Sequence, residues 1–389
     1  MDIEKGEGNG PLSQAGYTSA TVVSTAANYI MDKPEPFTHT FRTYIRLRES
    51  GKLNFKLWHS NAVDSTWNLG QEATGSELGG EWLIEAAYIA DGGVEVNGAV
   101  QEQTQVAVLF DGSTMRKVRP GESFWSDEIA MELPEGHLMV FTWTLTTRSS
   151  GRTIPYNVEG ILVSAYDAAG NLAAQESADS FALSDNLLVL PSFIGYKKQV
   201  NKKLVFLGDS ITQGVRTLKD EYEYWVARIA AGLGADYGVW NIGSGWARAY
   251  DASADGVWLN KAKQGDEVVI VLGVNDIDIG NRSTEELLSD LTVIISKLRE
   301  ANDEVKIILG TVPPFNFQDE REHTWRSVNS EILSNNLAGV NRVFDIAGLL
   351  SLPAPHDHRI KPEYMSNKDD PHPNGKAGKA IADAFLNWY

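Results

Sequence analysis

The sequence predicts a two-domain chain, an all-β sandwich or jelly roll followed by an open α/β domain built on a five-stranded parallel sheet. Three observations predict it. At 389 residues the chain is too long for one ordinary core, at roughly 100–200 residues per domain. Before residue 200 short runs alternate polar and apolar residues between turn clusters. Beyond it, continuous apolar runs alternate with stretches of helical period. The break divides the chain into 1–195 and 196–389, with residues 186–202 as the polar linker after Pro191.

In the first part, Thr38–Leu47, Leu53–Trp58, Gln105–Phe110, His137–Thr147 and Gly160–Tyr166 read as strands. The turn clusters Asp91-Gly92-Gly93, Asp111-Gly112-Ser113 and Pro134-Glu135-Gly136 separate them. No helix stands out across residues 15–185, which favours antiparallel sheets. In the second part Lys203–Gly208, Tyr237–Ile242, Glu267–Val274, Val305–Thr311 and Arg342–Ile346 are apolar enough for strands covered on both faces. Ser283 and Glu286 form a capping box ahead of a helix over Leu287–Arg299, and Asp319–Leu337 and Gly375–Trp388 are further helices.

Lys plus Arg number 34 against 52 Asp plus Glu, a net charge of −18. A field of that sign repels phosphate backbones and anionic membrane surfaces, so neither nucleic acid nor membrane is an expected partner. The absence of cysteine removes disulfides, thiolate metal sites and cysteine nucleophiles. Met1 to Gly6 show no basic and apolar leader, which predicts a cytoplasmic protein unless a signal segment was removed. The sequence leaves the oligomeric state open. His356-Asp357-His358 lacks a third ligand at recognisable spacing and is read as solvated, so no metal is assigned.

Open α/β sheets place their chemistry in loops at the carboxyl ends of the strands. The first such loop is Gly208-Asp209-Ser210-Ile211-Thr212-Gln213-Gly214. A serine on a tight strand-to-helix turn exposes both its hydroxyl and its backbone N–H; the plainer reading is a helix-capping serine. The second loop is Asn241-Ile242-Gly243-Ser244-Gly245, where a glycine lets a backbone N–H approach a substrate oxygen. The third, Gly273-Val274-Asn275-Asp276, offers an uncharged amide donor or simply an Asx-turn. Near the C-terminus stands Asp369-Asp370-Pro371-His372-Pro373-Asn374-Gly375, which can supply a base and the carboxylate that orients it, or a solvated histidine.

Together, in this order, the four segments resemble those of the SGNH (GDSL-type) hydrolase superfamily across residues 201–389. The resemblance implies a three-layer, flavodoxin-like catalytic domain and an acyl-enzyme mechanism with no metal or organic cofactor. It makes Ser210 the nucleophile, His372 the general base and Asp369 the residue that orients it, with Asp370 as a less well-spaced alternative. The oxyanion hole would comprise the Ser210 N–H, the Gly243 N–H and the Asn275 side chain, with Gly245 competing for the second place. Asp209, Trp246 and Phe315 are candidate pocket residues, although Trp246 and Phe315 suit core packing equally well.

A β-module ahead of such a domain resembles two-domain bacterial carbohydrate esterases, in architecture only. The expected activity is short-chain (acetyl) ester hydrolysis on a small-molecule or oligosaccharide substrate. The alternatives are a lipase-like or thioesterase-like acyl hydrolase, favoured by apolar lining at Phe315–Phe317, a transacylase, or a carbohydrate-binding protein with little turnover. Trp58, Trp67, Trp82, Trp125 and Trp143 either stack on sugar rings or fill the N-terminal core.

Overall fold

The computed structural model describes residues 16–68, 71–73, 77–158, 160 and 162–389. Among them the N-terminal part is strand-rich and builds two main antiparallel sheets. In the first, Gly51–Ser60 pairs with Phe193–Lys197, Ser123–Trp125 and Ile129–Leu133, and Tyr17–Ser19 adds to Phe193–Lys197. In the second, Met139–Thr147 lies between Phe37–Ile45 and Trp82–Asp91, with Ala165–Ala169 beyond Phe37–Ile45. Alternation explains the pairing: along Ile129–Leu133 every second residue is buried and the others face solvent.

The inward residues of both sheets, among them Phe41, Phe55, Leu57, Trp82, Trp143 and Ile194, make one hydrophobic cluster. Trp58, Trp82 and Trp143 are at most 6% exposed, so these three are core side chains rather than an exposed stacking platform. Trp125 packs edge-on against Phe193, and the side chain of Trp67 lies outside the described residues. The strand expected at Gly160–Tyr166 begins only at Ala165.

The expected boundary needs correction. Phe193–Lys197 is a strand of the N-terminal sheet, in register with Trp58 to Phe55, so the linker expected over 186–202 contains a paired element. The changeover falls at 198–201, just before the first strand of the parallel sheet.

That sheet has the order Tyr237–Asn241, Lys202–Gly208, Glu267–Val271, Lys306–Gly310, Arg342–Phe344, all parallel. In chain order this is 2-1-3-4-5, a doubly wound arrangement. Val205, Leu207, Val268 and Ile270 face a cluster shared with the helices Thr284–Ala301 and Glu320–Leu333. Leu204, Phe206, Val269 and Val271 face one shared with Trp225–Leu233 and Gly375–Trp388. Burial on both faces is why these strands read as continuous apolar runs. The Ser283–Glu286 capping box forms with both reciprocal bonds, and the helix runs from Thr284 to Ala301.

The two parts are packed together rather than strung apart. Phe193 stacks edge-on to Trp240 with ring centroids 5.0 Å apart. Asp64 and Lys261 form a fully buried ion pair at 2.6 Å across the junction.

Candidate active site

The central strand Lys202–Gly208 ends at a glycine that nothing larger can replace. A Cβ on Gly208 would lie 2.0 Å from Thr212 Oγ1 and 2.7 Å from the Val271 carbonyl. Asp209 then caps the short helix Ser210–Gln213, its Oδ1 accepting from the Ile211 N–H at 2.9 Å. Ser210 is thereby fixed at the helix start, 9% exposed, at the carboxyl end of the sheet.

Ser210 Oγ lies 3.0 Å from His372 Nε2. The other ring nitrogen, His372 Nδ1, lies 2.6 Å from Asp370 Oδ1, which also accepts the His372 backbone N–H at 3.1 Å. Arg216 Nε donates to the second oxygen of Asp370 at 2.9 Å. The hydrogen bond from His372 holds the Asp370 carboxyl well below the usual carboxylate range, against the opposing effect of partial burial. The contacts place a hydroxyl, an imidazole and a carboxylate in line, the order of groups that activation of a serine requires.

Asp369 is not in that chain, contrary to the sequence expectation. Residues Met365–Asn367 and Asp370–Pro373 pair as a small antiparallel ladder. Side chains two apart on a strand share a face, so Asp370 and His372 meet while Asp369 sits in the turn. The Asp369 side chain is 80% exposed, and Lys368 approaches it only to 3.8 Å.

The second-loop glycine is corrected as well. The Gly243 N–H already donates to Asn241 Oδ1 at 2.9 Å, which removes it as an oxyanion donor. Gly245 lines the cavity over Ser210, and its N–H has no acceptor among the described residues. The Asn275 amide gives one hydrogen to the Ala247 carbonyl at 3.0 Å and retains a second at the cavity wall. Asp209 is likewise not a pocket residue: it is wholly buried, and burial pushes its carboxyl up to about 7.

The cavity is about 310 Å³, and Trp246 and Phe315 line it as expected. The Phe315 ring meets the His372 ring edge-on at 5.1 Å. Trp246 is 36% exposed and holds a left-handed φ of 68°, a strained conformation for a bulky residue beside a reactive centre. Phe317 is 3% exposed and belongs to the core. Arg216 was not singled out by sequence; an arginine six residues after the serine carries no signal of its own. His358 contacts Glu322 at 3.2 Å and Arg326 binds Asp357, so the His356–His358 segment belongs to a surface ion-pair cluster.

Residues 206–380 match the model of the GDSL-like Lipase/Acylhydrolase family. The C-terminal domain resembles the GDSL-like acylhydrolases. The protein is accordingly a carboxylic ester hydrolase, with the GDSL-like domain carrying the serine loop, the Asn275 loop and the His372 hairpin. Comparison with proteins of curated function gives no match. Among solved structures, the chain is similar to a family 3 carbohydrate esterase from Talaromyces cellulolyticus, with 21% identity over 48% of this chain and 95% of that one, at a TM-score of 0.37. The whole chain is similar to a family two carbohydrate esterase from Clostridium thermocellum in complex with cellohexaose. That match has 12% identity over 96% of this chain and 98% of the other, at a TM-score of 0.39.

Proposed function

We propose that the protein is a serine esterase that removes short acyl groups, acetyl above all, from carbohydrate. The observation that carries the reading is the continuous chain from Ser210 Oγ through His372 to Asp370 at the floor of a small cavity. Ser210 attacks the ester carbonyl while His372 takes its proton. The tetrahedral oxyanion is held by the Ser210 N–H, the Gly245 N–H and the free hydrogen of the Asn275 amide, each donor contributing about 3 kcal/mol. His372 then protonates the departing alcohol, and water releases the acyl group by the same steps.

Trp246 and Phe315 would bound the acyl and alcohol sides of the cavity. With Phe317 withdrawn into the core, only one aromatic of the Phe315–Phe317 loop is left to line a longer chain. This favours short acyl groups over the lipase-like alternative. The net charge of −18 favours a neutral sugar ester over an anionic lipid. In this reading the described residues from 16 to 197 are a jelly-roll-like accessory module, and the catalytic domain follows from 198.

The test is hydrolysis of p-nitrophenyl acetate, butyrate and octanoate by the wild type and Ser210→Ala, followed by acetylated xylo- and manno-oligosaccharides. The expected result is acetate-selective turnover that Ser210→Ala abolishes. Preference for octanoate would transfer the reading to a longer-chain acyl hydrolase, and equal activity in Ser210→Ala would remove Ser210 as the nucleophile.

A further inference from the structure

The loop that bears Gly245 is fastened to the N-terminal part of the chain, not only to its own sheet. Ser24 Oγ donates to the Gly243 carbonyl at 2.5 Å. Ser244 Oγ donates to the Ser65 carbonyl at 2.7 Å, and Ser65 Oγ in turn donates to Asp251 Oδ2 at 2.8 Å. Trp240 Nε1, at the end of the strand leading into the loop, donates to Thr25 Oγ1 at 3.0 Å. All of these residues are buried.

From the catalytic side the same loop is held by the sheet and by the Asn275 segment. The Ser244 N–H donates to the Gly208 carbonyl at 2.9 Å, which ties it to the serine turn. The Ala249 and Tyr250 N–H groups reach the Asp276 carboxylate at 2.9 and 3.2 Å. Asp251 is bridged by Arg248 at 2.8 Å. Between these anchors, the N–H groups of Gly245 and Trp246 are left without an acceptor among the described residues.

We propose that Ser24 and Ser65 are positioning residues for the oxyanion hole, so that the N-terminal module completes the catalytic centre instead of merely delivering it to substrate. The inference rests on the reading of Gly245 as an oxyanion donor. Its physical basis is local. The Gly243 carbonyl belongs to the peptide plane that ends at the Ser244 N–H. With Ser24 holding one end of that plane and Gly208 the other, its orientation is fixed. The Ser244 side chain, pinned to the Ser65 carbonyl, then fixes where the next peptide, which carries the Gly245 N–H, begins. A donor stabilises an oxyanion only when it is already aimed at it, and misplacement by about 1 Å is worth roughly a hundredfold in rate.

The test uses the full-length protein with Ser24→Ala, Ser244→Ala and Ser24→Thr. Each is assayed on p-nitrophenyl acetate, with active sites counted by complete reaction with a fluorophosphonate. Ser24→Ala and Ser244→Ala are expected to lower kcat per titrated site by roughly tenfold to a hundredfold, with KM within about twofold of wild type. Ser24→Thr, which keeps the hydroxyl, should restore most of kcat. Ser244→Ala severs the contact from the catalytic side and carries the test should Ser24→Ala not fold. Wild-type kcat per site with only a lower thermal midpoint would reduce both serines to a structural role and overturn the proposal, as would a rise in KM at unchanged kcat. Ser210→Ala, run alongside, separates the two levels: activity surviving there removes Ser210 as the nucleophile and the site reading with it, whereas its loss together with intact Ser24→Ala turnover removes only this inference.

Discussion

Adjacent aspartates at 369 and 370 give the mechanism a test with an internal control. Asp370→Asn preserves shape but removes the charge that faces His372 Nδ1 at 2.6 Å, and an amide that presents its nitrogen there forces the wrong imidazole tautomer. It also leaves Arg216 Nε without its carboxylate. Removal of a triad carboxylate lowers turnover by roughly 10³–10⁴-fold, or about 4–5.5 kcal/mol of transition-state stabilisation at about 1.36 kcal/mol per decade. Asp369→Asn changes a side chain that is 80% exposed and 3.8 Å from its nearest cation. An exposed pair of that kind is worth about 0–1 kcal/mol, so kcat/KM should stay within about twofold of wild type. The assay is kcat/KM on p-nitrophenyl acetate at neutral pH for both variants, with circular dichroism to show that each is folded. A large loss in Asp369→Asn, or retention of activity in Asp370→Asn, would refute the hairpin argument that pairs Asp370 with His372.

Further expectations follow from packing and burial. Gly243→Ala would set a Cβ 2.3 Å from the Gln213 backbone nitrogen and 2.7 Å from the Thr212 carbonyl carbon, so its thermal midpoint should fall by several degrees. Breaking the junction's ion pair with Lys261→Met should cost about 3–5 kcal/mol in denaturant unfolding, and Asp64→Asn in the same chain should recover most of it. Asp209, pushed up to about 7 by burial, keeps in the folded state a proton that the unfolded chain releases near its ordinary value of 3.8. Its stabilising contribution is therefore complete below about pH 4 and is lost as pH rises through 7, a change of roughly 4 kcal/mol. Asp209→Asn can retain the acceptor for the Ile211 N–H and should flatten the fall in thermal midpoint between about pH 4 and 7; an unchanged slope would show that Asp209 is ionised when folded.

The parallel sheet was legible because its strands are buried on both faces, and an uninterrupted apolar run is the trace that such burial leaves in a sequence. The serine loop and the Asn275 loop were legible for a related reason: each follows such a run directly. The acid was not. Asp-x-x-His is a spacing for a turn, and only the pairing of Met365–Asn367 with Asp370–Pro373 makes the relevant spacing two. Gly243 and Gly245 are indistinguishable by type; the Asn241 side chain that occupies the Gly243 N–H separates them. Asp209 reads as a pocket carboxylate until the burial of its short helix is known. The strand Phe193–Lys197 escaped because its partners, Phe55 to Trp58, lie more than a hundred residues earlier and its own five residues carry no clear alternation.

The parts of the site come from elements of different kinds, and the way each is attached decides where it stands. Ser210, Gly245 and Asn275 follow three strands that are neighbours in the sheet, so the hydrogen-bond register between them sets the distances among the donors. His372 has no such strand behind it. Its hairpin is placed by Asn374, whose Nδ2 donates to the Met365 carbonyl at 2.8 Å, while its Oδ1 accepts from the Lys376 and Ala377 N–H groups at 2.9 and 3.1 Å. One side chain therefore closes the hairpin and caps the final helix, and that helix is anchored on the sheet through Phe385, which touches Phe206 on the strand that carries Ser210. His372 is thus referred back to the strand that precedes Ser210 through a helix cap, just as the Gly245 segment is referred to it through Gly208.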